Sequence, residues 1–99
     1  MAHLPRIAVI EICSALRRRT RSEAASITSR VTLRDWENAG LITLYTLNGP
    51  EMELAVSIVT QYGLKGADAL FASVAERTGF DFKTFDQDVL RRYPRASLP

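Results

Sequence analysis

The chain of 99 residues has a single cysteine, Cys13, and a single histidine, His3. One cysteine excludes an internal disulfide framework and a cysteine-rich zinc site. One histidine leaves almost no material for a His-based metal site or a Ser-His-Asp triad. Lysine is also scarce: eleven of the thirteen basic residues are Arg, whose planar fork suits phosphate and carboxylate better than an ammonium does. No apolar run approaches the ~20 residues of a membrane span, and the N-terminus has no signal-peptide pattern. These absences describe one soluble, cytoplasmic, non-redox domain over 1–99, and leave its chemistry to carboxylates.

What is present is unevenly placed. Residues 1–34 hold seven Arg against Glu11 and Glu23, whereas the remainder holds six bases against nine acids. A basic first third is compatible with a polyanionic substrate, although charge blocks are more often solvated faces. Eight of the ten residues from Ile7 to Leu16 are apolar. The spacing predicts a helix over Pro5–Arg19, buried on most sides, whose last turn places Arg17, Arg18 and Arg19 against the helix dipole. Thr20 and Glu23 fit a capping box for a second helix to about Asn38, with Ile27, Val31 and Trp36 as core contacts and a break near Thr32. Leu41–Leu47 reads as a strand. A third helix follows Pro50, with a stripe of Ala55, Ile58, Val59 and Tyr62, and closes at Gly63. Gly66–Thr78 is a fourth helix, Phe80–Phe85 a second strand and Gln87–Tyr93 a last helix. Helices interleaved with strands argue an α/β domain with a short parallel sheet flanked by helices.

Three carboxylates stand out. Glu11 interrupts an apolar helix, with only Ser14 sharing its polarity; it either faces water or meets a basic partner or a metal. Asp68 opens the fourth helix among apolar neighbours, where any acid is favoured by the dipole. Asp86 would cap the last helix, and also lies at the carboxyl end of a strand, where open α/β sheets place ligands. Asp88 is the weaker candidate, and Thr84 could donate a hydrogen bond into the same site. Clustered, such acids would need a hard divalent cation able to activate water at a phosphodiester. Cys13 reads as a small core residue and His3 takes no part.

Three stretches carry a resemblance to PIN-domain nucleases, in particular the toxin subunit of VapBC-type toxin–antitoxin pairs. They are Ile7–Arg19, with Glu11 before Ser14-Ala15-Leu16 and the basic turn; Tyr62–Leu70, with Asp68-Ala69 opening a helix; and Phe82–Asp86, ending Thr84-Phe85-Asp86. The resemblance implies a PIN-like fold and an endoribonuclease dependent on Mg²⁺ or Mn²⁺, with Glu11, Asp68 and Asp86 at the positions of catalytic, metal-binding carboxylates. Ser14, Thr84 and Asp88 would support them, and Arg17, Arg18 and Arg19 would contact substrate. It further implies RNA as substrate, an antitoxin protein as partner, and a homodimer or higher oligomer. Only Met1–Leu4 precede the first helix, with no Asp among them. Relative to the family the chain therefore reads as N-terminally truncated, lacking the first strand and its Asp. It would have weak or no activity, or would be a catalytically inactive module that binds protein or self-associates. In the absence of that strand, Leu41–Leu47 and Phe80–Phe85 would have to pair with each other or leave edges exposed.

Overall fold

The computed structural model describes all residues, Met1–Pro99, and the chain divides into two compact units, Met1–Tyr45 and Thr46–Pro99. The first runs β1 (Ala2–Pro5), α1 (Ala8–Thr20), α2 (Glu23–Asn38) and β2 (Ile42–Tyr45). β1 and β2 pair in parallel, Ala2 opposite Ile42 through Pro5 opposite Tyr45, so two helices form the crossover that a parallel pair requires. A strand therefore does precede the acidic helix, contrary to the sequence reading; it carries His3 and no Asp. Four residues containing a proline have no strand signature of their own, and their partner 40 residues away supplies it. Pro5 ends this strand, where its missing N–H costs nothing, instead of opening the helix.

The core of the first unit is small: Pro5, Ala8, Leu33 and Ile42 are its buried residues. Ile27, Val31 and Trp36, expected inside, are exposed, and α1 is buried on one side only, with Ile10 69% exposed. A two-stranded sheet and one neighbouring helix offer too little surface to cover two helices that are apolar beyond one stripe. Helix α2 is capped by Ser22, whose Oγ accepts from the Ala25 N–H at 3.2 Å, and not by Thr20. The Thr20 hydroxyl instead donates to the Leu16 carbonyl at 2.6 Å. No break occurs at Thr32. Cys13 is half-buried, and two serines of α2 reach it: Ser26 Oγ donates to its carbonyl at 3.2 Å and Ser29 Oγ to its Sγ at 3.4 Å.

The second unit runs α3 (Gly49–Tyr62), α4 (Gly66–Thr78), β3 (Phe82–Lys83), α5 (Gln87–Arg92) and β4 (Ala96–Ser97). Asn48 caps α3, with Pro50 in its first turn, and Gly63 (φ 71°) and Gly79 (φ 74°) end α3 and α4 in the left-handed conformation that glycine adopts without a Cβ penalty. The core joins Ala55 and Ile58 of α3, Ala69 and Ala72 of α4, Leu64 between them, and Val89 and Tyr93 at the last helix. Val59, the third member of the predicted α3 stripe, is instead 38% exposed, and Tyr62 is half-buried. Tyr62 meets the Tyr93 ring edge-on, with centroids 5.1 Å apart. The strand read over Phe80–Phe85 shortens to two residues and pairs in parallel with β4, Phe82 opposite Ala96 and Lys83 opposite Ser97. It does not pair with the strand read over Leu41–Leu47, which forms as β2 and pairs with β1. The protein is thus mixed α/β with short parallel sheets.

Candidate functional site

Glu11 lies in the first turn of α1, where the dipole favours an acid, and its side chain is exposed with no hydrogen-bond or ion-pair partner. The polar stripe that includes Ser14 faces water. Arg17, Arg18 and Arg19 are exposed in the last turn, and Arg21 (φ 55°) ends the helix.

In the second unit, Asp68 sits half-buried in the first turn of α4. Asp86 is exposed and is the N-cap of α5: its Oδ1 accepts from the Asp88 N–H at 2.9 Å and the Val89 N–H at 3.1 Å. Thr84 is its neighbour as expected, but as an acceptor, its Oγ1 taking the Asp86 N–H at 3.0 Å. Asp88 is half-buried beneath two arginines, its Oδ1 accepting from Arg91 and, at 2.9 Å, from Arg92 Nε. The hydrogen bond from Arg92 holds the Asp88 carboxyl below its ordinary range, aided by the charges of Arg92, Arg91 and Lys65 and opposed by desolvation. Asp88 is thereby accounted for as a helix-stabilising acid. At the far end of α5 the buried Tyr93 donates its hydroxyl to Glu76 Oε1 at 2.5 Å. Burial first, and this bond second, push the phenol well above its usual range.

The structure thus brings Thr84, Asp86 and Asp88 to one end of α5. No three His, Cys, Asp or Glu side chains lie together so as to hold a metal ion. One oxygen of Asp86 is committed to capping, and Glu11 belongs to the other unit.

Two surface features of the first unit escaped the sequence reading. An apolar groove of about 510 Å³ runs between α1 and α2, lined among others by Ile12, Leu16, Leu33 and Trp36. Elsewhere on the same helix pair, a concavity of about 390 Å³ gathers Ser14 and Arg17 of α1 with Ser26 and Arg30 of α2, over Val9 and Ile10. Arg30 had no distinguishing signal beyond its place four residues after Ser26, one turn along the same face.

The family model for the PIN domain matches residues 1–96. Neither a curated protein nor a solved structure matches the chain.

Proposed function

The chain belongs to the PIN-domain family, whose members are in general divalent-metal-dependent nucleases, and from that premise we propose that it is a toxin-type endoribonuclease domain of low activity. The match over 1–96 carries this reading; the order of the Glu11, Asp68 and Asp86 motifs supports it. These three are the proposed acidic residues, with Ser14, Thr84 and Asp88 beside them, Mg²⁺ or Mn²⁺ as the ion and RNA as substrate. The ion, when bound, would supply an activated water and charge stabilisation at the phosphodiester. Low activity is proposed because β1, the strand that precedes Glu11, carries His3 and no acid. We take 1–99 as one PIN-like domain made of both units, acting in the cytoplasm; no helix is long and apolar enough to cross a membrane.

The test is Mn²⁺ titration by calorimetry, with cleavage of a structured RNA at protein in excess. Weak binding and slow metal-dependent cleavage are expected, lost in both Asp68→Asn and Asp86→Asn while circular dichroism stays unchanged. Robust turnover abolished by Asp68→Asn would overturn the low-activity reading. Cleavage unaffected by either substitution would remove these residues from the site.

A second reading, a non-catalytic module that binds an antitoxin-type protein or a second copy, is favoured by one observation. Met52 and Val56 of α3 are exposed one turn apart, with Val59 partly so, and Trp36 and Leu16 line the open α1–α2 groove. Such faces mark protein interaction sites. Complete absence of cleavage in every metal, with retained self-association, selects this reading.

A further inference from the structure

Arg17, Arg18, Arg19, Arg21, Arg30 and Arg34 all sit on the α1–α2 pair, all exposed, and none has an ion-pair partner. Of the five arginines elsewhere, four are ion-paired, Arg6 with Glu37, Arg77 with Glu51, and Arg91 and Arg92 with Asp88, and only Arg95 is not. Against Glu11, Glu23, Asp35 and Glu37 on the α1–α2 pair, the first six leave a net charge of +2, an excess that favours an anionic partner.

Two of the six, Arg17 and Arg30, converge from different helices on the concavity of about 390 Å³. The helices are joined there by the Ser26 hydroxyl, which donates to the Cys13 carbonyl, with Ser29 Oγ 3.4 Å from the Cys13 Sγ. Val9, half-buried, and Ile10, 69% exposed, add apolar surface to its lining. Ser14 adds an exposed hydroxyl to the lining.

Apolar surface beside two unpaired guanidiniums matches a ligand with a flat apolar face joined to anionic oxygens. A nucleotide within a single strand has that form. A duplex does not, because its base faces are stacked and only phosphates reach a surface. On α1, Ser14 lies three residues and about 4.5 Å along the axis from Glu11, on the same polar stripe. A ligand in the concavity therefore lies within one helical turn of Glu11.

We propose that Arg17 and Arg30 grip the phosphates of a single-stranded RNA segment whose base lies on Val9 and Ile10, making this concavity the strand-binding subsite of the domain. The choice of RNA rests on the nuclease reading above; the grip itself does not require turnover.

The experiment is fluorescence anisotropy of the full chain with a labelled 12-nucleotide single-stranded RNA and its duplex, in EDTA, between 50 and 200 mM salt. The wild type should bind the single strand more tightly than the duplex. Arg17→Gln with Arg30→Gln should weaken binding about tenfold at low salt and reduce the slope of log K against log salt by about 1.4, the release expected for two single-strand phosphates. Ile10→Ser should weaken single-strand binding several-fold and leave duplex binding unchanged. The charge-matched pair Arg21→Gln with Arg34→Gln should have less than half the effect on log K. Circular dichroism of each variant reports whether it folds. Equal loss in both arginine pairs, equal affinity for duplex, or no binding by the wild type would overturn the subsite. Absence of cleavage with the binding pattern intact would sink the nuclease reading alone, whereas cleavage with binding indifferent to Arg17 and Arg30 would sink the subsite alone.

Discussion

Asp86 serves a structural purpose that can be separated from any chemical one. Its Oδ1 satisfies two N–H groups at the start of α5. Asparagine caps a helix as well as aspartate does, whereas alanine loses about 1 kcal/mol. Asp86→Asn should therefore retain stability to within a few tenths of a kcal/mol in urea titration, and Asp86→Ala should lose about 1 kcal/mol. Any loss of cleavage in the Asn variant then belongs to charge and not to folding. Asp88 contributes to the response to acid. Its folded carboxyl lies below the ordinary 3.8 because Arg92 and Arg91 favour the ionised form. The stability it contributes is complete above that ordinary value and disappears as pH falls through the folded value. Asp88→Asn should lower stability at neutral pH and flatten its dependence below pH 3.8, as followed by helical circular dichroism. Tyr93 acts with the opposite sign. Its raised phenol contributes stability below the ordinary 10.0 that is lost as pH rises, so ultraviolet titration should show its ionisation only with alkaline unfolding.

Among the elements, the helices of the second unit are delimited by glycines with different roles. Gly63 ends α3 at φ 71°, and a Cβ there would also stand 3.1 Å from Arg92 Nη1. The guanidinium end can move; the left-handed backbone cannot, and costs a non-glycine residue roughly 1–2 kcal/mol. Gly66 opens α4 without a positive φ and faces open space. Gly63→Ala should destabilise by about 1 kcal/mol, lowering the thermal midpoint by about 4–8 °C. Gly66→Ala should stabilise by about 0.4–1 kcal/mol, because it restricts the unfolded chain at no cost to the fold. Differential scanning calorimetry on the two variants reads both signs.

For the whole molecule, the exposed apolar residues matter more than any single contact. Ile10, Ile27, Met52, Val56 and Trp36 are each at least 46% exposed, on three different helices. Burying such a side chain contributes about 1.5–3 kcal/mol, so a modest interface would be favourable. Light scattering at micromolar concentration should give at least twice the 11.1 kDa of the chain. Val56→Glu or Trp36→Glu should return it toward the monomer, according to which face is used. A stable, well-folded monomer in the wild type would show that no such interface forms.

Local signals in the sequence were sufficient for all five helices, the ends of α3 and α4 at Gly63 and Gly79, the cap at Asp86, and the α/β class. Each rests on hydrogen bonds and dihedral preferences within a few residues, which any stretch of chain carries with it. The ordered acidic motifs likewise sufficed for the family, since residue type and order survive without coordinates. Strand partners did not follow from it. Ala2–Pro5 becomes a strand only through Ile42–Tyr45, and Phe82–Lys83 only through Ala96–Ser97, because a ladder needs a second strand that sequence separation conceals. Nor did the side of each helix that is buried, since the pattern of α1 and α2 offered more apolar surface than one small sheet could cover. That shortage left Trp36 and Ile10 in water, and the packing of α1 on α2 joined Arg17 to Arg30 across thirteen residues of sequence.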